Sequence, residues 1–414
     1  MASEQPAGAE YLDHPFLAGP HQRRVETYGD VDALLKSKSF VAAPYELTTP
    51  LIGKTLLTLR DDEHLDRRRL EQALFEKDAL RDYETRLLVP IIDRCLRRLE
   101  RGSDGVVRAD LIRLVRSMLL EISAAVVGLD VGEDAEDPHL REVLDGINDG
   151  VQAQWTTSDQ DTQLARGIRA KEALVADVLA PAWRRRAAML QDFRAGKLGR
   201  SDLPKDLLML LLERQAEDET LTDDTIVREC ILYLVASVDT SVHAVTHVVS
   251  EMETWLEHHP EDRDRLGDSE FLRLATEEAL RLHPPAPAVV RDATDDVILP
   301  SGTCVKQGER AWCDLLVSNV DESVIGSDAE RFDLTRQLSA RVPRYGHSFG
   351  AGRHVCIGRV LALGDRKAGT KGTVVRIIEA LYRAGVERDL DIVATRLQSV
   401  SDKYAVFLVR LPRL

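Results

Sequence analysis

Phe349-Gly350-Ala351-Gly352-Arg353-His354-Val355-Cys356-Ile357-Gly358 spaces three glycines around one cysteine, then runs into an apolar stretch of helical character, Ile357, Val360, Leu361 and Ala362. Glycine lacks the Cβ that would hold a backbone away from a flat partner. A cysteine just ahead of a helix lies where peptide dipoles and unpaired N–H groups favour the thiolate. A thiolate is a metal ligand. The simplest alternative is a surface turn around an inert thiol. A tetrahedral zinc site would need three further N or S ligands, and nearby the chain offers His347 and His354.

Three more pairs have side chains capable of chemistry. His64 and Arg68 stand four apart in Asp61-Asp62-Glu63-His64-Leu65-Asp66-Arg67-Arg68, so on a helix they share one face. That face is either solvated or a cationic seat for carboxylates. Asp239-Thr240 interrupts the apolar run Leu232 to Val238, which is costly unless the pair is hydrogen-bonded or functional. A threonine bonded back to the preceding turn, with the acid facing water, is the structural alternative. Glu278 and Arg281, three apart, form either an ordinary surface ion pair or part of a buried network.

The order Phe-Gly-x-Gly-x-His-x-Cys-x-Gly resembles the heme-thiolate loop of the cytochrome P450 family, and the other pairs fall in that family's order over roughly residues 22 to 411. The resemblance implies heme b (iron protoporphyrin IX) with Cys356 as the proximal iron ligand, Phe349 and His354 in the same loop against the cofactor, and His64, Arg68 and Arg291 at its propionates. It implies that Asp239 and Thr240 organise water and deliver protons during dioxygen activation. Ser237 departs from the family's usual glycine, and its hydroxyl is expected to alter the groove there. Glu278 and Arg281 become scaffold, completed by an arginine that falls on Arg331 in Glu330-Arg331-Phe332.

The implied fold is mainly α, a helical domain with a small β-rich region, as a single domain over 21–414 after a flexible segment 1–20. The implied activity is insertion of one oxygen atom from O2 into a small to medium, largely apolar organic substrate. Electrons would come from a ferredoxin and an NAD(P)H-dependent reductase or an equivalent donor, because the chain has no flavin, nicotinamide or iron–sulfur motif. Peroxide-driven, coupling or dehydrogenation chemistry, or a non-catalytic heme-binding relative, are the alternatives. The family's amphipathic helix before the first strand is missing or degraded here.

The elements that must position these residues follow from periodicity and punctuation. Arg23 to Tyr28 reads as a strand and Asp30 to Lys36 as a helix. A loop from Ala42 to Thr58 offers Tyr45, Leu47, Thr48, Leu51 and Ile52 toward a substrate, with Ile147, Val151 and Trp155 as further lining candidates. Amphipathic helices are expected at Leu80–Arg101, Val106–Val127, Leu140–Trp155, Leu164–Leu190 (kinked or split by Pro181) and Leu203–Arg214. Thr222 to His259 is the longest helical pattern, capped by Thr222 and stopped by Pro260. Asp268 to His283 is a further helix, Ile298 to Trp312 and Arg396 to Leu411 read as hairpins, and a helix runs from the cysteine loop to Ala384 through Gly364, Gly369 and Gly372.

The 414 residues carry a net charge of −15, with 55 Lys and Arg against 70 Asp and Glu. That balance disfavours a general nucleic-acid or anionic-membrane binder. Five scattered cysteines are unlike a disulfide framework and fit a reducing compartment. Met1 to Glu10 lacks the basic start and apolar run of a signal peptide, so the expectation is a cytoplasmic protein without a membrane anchor.

Overall fold

The computed structural model describes residues 22–43, 45–130, 138–155, 159–390, 394–396 and 403–414. The expectation for residues 1–20 lies outside the described residues, as do the polar stretch Gly132 to Asp137 and Ser399 and Val400 of the expected Arg396 to Leu411 hairpin. Helices dominate, as the periodicity predicts, and short strands form small sheets. The contacts gather into two compact units, one of residues Met1–Ala43, Ile92–Arg116 and Asp239–Leu414, the other of Pro44–Ile91 and Ser117–Val238.

In the first unit, Gln22–Val25 runs parallel to Arg310–Asp314, which pairs antiparallel with Ala288–Ala293, and Phe40–Ala42 closes the other edge. Val25, Leu34, Phe40, Val305, Ala311 and Cys313 pack into one apolar cluster. The expected Ile298–Trp312 hairpin is shorter than its pattern: Val297–Ile298 pairs with Cys304–Val305 around Gly302, whose φ is +89°. The buried run Ala311-Trp312-Cys313 leaves it for the larger sheet, because a strand apolar on both faces is stable only when covered on both.

Long-range pairing also changes two other predicted elements. The helix expected from Val106 begins at Leu111, since Val107–Asp110 is a strand against Leu408–Leu411. The hairpin expected from Arg396 is split: Thr395–Arg396 pairs with Tyr404–Val406, while Leu408–Leu411 also takes Glu387–Arg388. The helix expected to reach Ala384 stops at Leu363 and restarts at Thr373. Gly364, Gly369 and Gly372 between them have φ of +78°, +73° and +86°. Added Cβ atoms would run into the Thr370 and Lys371 backbone from Gly364, and into Gly364 and Leu363 from Gly372. The glycines therefore build a tight connection rather than weaken a helix. Buried Arg273 ties that connection down by donating to the carbonyls of Leu363, Gly364 and Thr370.

Ser269–Leu282 forms as predicted, with Asp268 accepting from the Glu270 N–H as its cap. Glu278 and Arg281 are fully buried and paired at 2.6 Å. The arginine completing the set is Arg336, whose Nε donates to Glu278 Oε1 at 3.2 Å, with Arg344 3.6 Å from the same carboxylate. Arg331 is exposed and contributes its carbonyl, which accepts from Arg281 and Arg336. The expectation for Arg331 is corrected accordingly.

In the second unit, Asp61–Glu71 is a helix with Asp61, Asp62 and Glu63 in its first turn, where the dipole favours acids. The Leu164–Leu190 pattern becomes Gln160–Ala173, a π segment Leu174–Leu179, and Ala180–Arg194 with Pro181 in its first turn. The proline splits the pattern as expected, because it removes an i→i−4 bond. Gly150 and Gly167 bring the helices Pro138–Gln152 and Gln160–Ala173 close together, with Leu51 inserted against both glycines.

The long helix is Asp223–His258, about 54 Å at the usual rise. Thr222 Oγ1 accepts from the Thr225 N–H at 3.2 Å. By length and composition this helix could cross a membrane, but 56% of its apolar window is buried inside the protein.

Candidate active site

The cysteine loop is fixed by its own backbone. Gly350 and Gly352 both have φ +66°, and a Cβ at Gly352 would collide with the backbone of Leu35 and Lys36. The Cys356 N–H donates to the Phe349 carbonyl at 2.8 Å, and the Val355 N–H to Gly352 at 3.2 Å. Asn319 supports the approach, its Oδ1 accepting from the His347 N–H at 2.8 Å. Phe349 lies edge-on to Tyr345 with ring centroids 5.0 Å apart. His347 is buried beside Tyr28, and burial lowers its pKa. Among the described residues no group of three or more His, Cys, Asp or Glu is arranged to hold a metal ion.

Cys356 follows the 3-10 turn Gly352–His354 and precedes the helix Arg359–Leu363, and it is exposed. Cys95, Cys230 and Cys313 are buried, and burial pushes the Cys313 thiol up to about 12. His354 is half-buried in the turn. Arg291, on strand Ala288–Ala293, is half-buried and donates to the Val290 carbonyl at 2.8 Å.

On the long helix Thr240 is exposed, as is Ala236 one turn earlier. Asp239 lies 2.8 Å from Arg116 in an ion pair that lacks hydrogen-bond alignment. Sequence reasoning missed Arg116: an acid in an apolar run calls for a cation, but nothing indicates which one. The Ser237 hydroxyl donates to the Tyr233 carbonyl at 2.7 Å and sits 2.6 Å from Ser123 Oγ. It is engaged within the helix packing.

In the second unit, His64 is buried and Arg68 half-buried on the Asp61–Glu71 helix. Next to them Arg67 and Glu71, which sequence reasoning did not single out, are buried as well. Arg67 pairs with Glu229, and Glu71 accepts from the Tyr233 hydroxyl at 2.7 Å. Leu51, Ile52 and Ile147 are fully buried core. Tyr45 and Trp155 meet edge-on at 6.2 Å, and the Leu47 N–H donates to Gln154.

The donor set fits an iron porphyrin. The exposed Cys356 sulfur on its glycine-turned loop would offer a soft donor to iron, and arginine provides the planar fork that matches a carboxylate.

The cytochrome P450 family model matches residues 24–365. A biotin biosynthesis cytochrome P450 of Bacillus subtilis (strain 168) is 31% identical over 38% of this chain, and a steroid C26-monooxygenase of Mycolicibacterium smegmatis 30% over 39%. The matched stretches span 37% and 38% of those relatives' lengths. The fold is similar to that of CYP154A1 from Streptomyces coelicolor A3(2), with a TM-score of 0.71 at 19% identity, covering 94% of this chain and 91% of that one.

Proposed function

The chain belongs to the cytochrome P450 family, and from that premise we propose that it is a heme-thiolate monooxygenase inserting one oxygen atom of O2 into a small to medium, largely apolar organic substrate. The observation that carries this is the exposed Cys356 on its glycine-turned loop, since a cysteine with no ligand to hold is usually buried. Heme b, when bound, supplies the iron chemistry that activates dioxygen.

Cys356 would hold the iron through its sulfur, with Phe349 and His354 beside it in the loop. Arg291 would pair with a propionate, and the His64/Arg68 motif supports the same role for those two residues. The Thr240 hydroxyl holds and passes protons at its oxygen. The Asp239 carboxylate, paired with Arg116, takes up a proton when that ion pair opens. Residues 21–414 act as one catalytic domain in the cytoplasm, receiving electrons from a separate ferredoxin and NAD(P)H-dependent reductase.

The test is spectroscopic. The reduced, carbon monoxide-bound protein is expected to show the red-shifted Soret band of thiolate ligation, and Cys356→Ser to lose it. Persistence of that band in the variant would overturn the assignment.

A further inference from the structure

The Asp61–Glu71 helix carries two buried carboxyl-bearing contacts that the proposed chemistry does not use. Glu71 and Glu229 are both fully buried, and Arg67, one turn before Glu71 on the same helix, pairs with Glu229. Glu229 Oε1 takes the Arg67 guanidinium and the Leu56 N–H, the latter at 2.9 Å. Glu71 Oε2 takes the Tyr233 hydroxyl. The remaining oxygens, Glu71 Oε1 and Glu229 Oε2, are buried with no donor among the described residues.

Two ionised carboxylates beside one guanidinium would leave a net buried negative charge, which is expensive. A single proton removes that charge. It also supplies the missing donor: Arg67 and Glu71 stand one turn apart on their helix, as do Glu229 and Tyr233 on theirs, so the two carboxyl groups are neighbours. We infer that Glu71 and Glu229 share a proton that, with Arg67 and Tyr233, fastens the Asp61–Glu71 helix to the long helix and so positions His64 and Arg68 to receive a heme propionate. The role of His64 and Arg68 rests on the function proposed above; the shared proton does not.

Other charged and titratable groups face this set from each neighbouring element. They are Cys230 on the long helix, Tyr83 at the end of Lys77–Tyr83, Asp206 ahead of Leu207–Gln215, and Asp218 toward Arg67. Arg186 is engaged by Asp206 and Asp130. Burial, followed by the neighbouring Glu229, raises the Glu71 pKa well above the ordinary carboxylic range. Burial pushes Glu229 up to about 7, against the lowering by Arg67. For acids raised in this way, the native state binds more protons than the unfolded one. Their stabilisation is full below the unfolded value near ~4.5, falls as pH rises, and for Glu229 is lost through about 7.

The test compares the parent with Glu71→Gln, which is nearly the same shape and carries a permanent donor toward Glu229. Hemin is titrated into apoprotein at pH 6 and pH 8, and carboxylic-acid carbonyl absorption of the apoprotein is recorded by infrared difference at pH 7. Histidine side chains ordinarily titrate in the same range, so the difference between the two proteins is what is read. The expected result is that the ratio of hemin affinities at pH 6 and pH 8 is at least fivefold smaller in the variant, and that the parent's protonated-carboxyl band is absent from it. Equal ratios, or a band that survives Glu71→Gln, would overturn the inference. If Glu71→Gln does not fold, the infrared comparison is made on Glu229→Gln with the same two outcomes. Absence of thiolate spectra in loaded parent protein would count against the heme reading alone, because the infrared band is measured without heme.

Discussion

Asp239 and Thr240 adjoin in sequence but have different surroundings. The acid is paired with Arg116, and the alcohol is exposed on the helix. Removing the hydroxyl therefore takes away the proposed proton-passing group without disturbing an ion pair. Thr240→Ala is expected to retain heme and consume NAD(P)H with substrate present, while product formed per NAD(P)H falls severalfold and hydrogen peroxide rises to match. Asp239→Asn is expected instead to slow turnover by roughly 10²-fold, the scale of a lost acid–base group. Unchanged coupling in Thr240→Ala would remove that residue from the proton path. At this scale the sequence was legible where a motif fixes both residue and spacing, as in Glu278/Arg281 and the cysteine loop. Arg336, Arg116 and the Arg67–Glu229 pair escaped it because their partners lie far along the chain, 58 residues for Arg336 and 162 for Arg67. Charged side chains in sequence read as surface until the fold buries them.

Element boundaries were legible where local chemistry sets them. The cap at Thr222, the stop at Pro260 and the acidic first turn at Asp61 all lie where the residue types place them. The break after Leu363 was not, because glycine in a helical pattern reads as a cost and its φ shows only in the fold. That break gives a graded prediction. Gly369→Ala meets open space and should cost about 1–2 kcal/mol for its left-handed backbone. Gly364→Ala and Gly372→Ala add a collision with backbone, and should cost roughly 1–3 kcal/mol more. Denaturant midpoints with unchanged slopes would measure this order; three equal losses would contradict it.

Across the whole molecule the charge is −15, yet the cavity of about 340 Å³ flanking the cysteine-loop helix is lined by Arg273, Arg359, Arg366 and Lys367 as well as Glu277 and Asp365. Local sign, rather than net charge, governs the approach of a charged partner. Lys367→Glu is expected to slow reduction by an acidic ferredoxin severalfold at low salt, with the difference fading as added salt screens it. A salt-independent difference, or none at low salt, would place the docking elsewhere. The sheet has a consequence for biosynthesis. Gln22–Val25 has Arg310–Asp314 as its sheet partner, and the Arg24–Asp314 bond joins residues 290 apart. A ribosome adding residues at its usual pace takes roughly 15–60 s to cover that interval. Throughout it this strand waits with its pairing edge open, a feature that favours aggregation of a nascent chain.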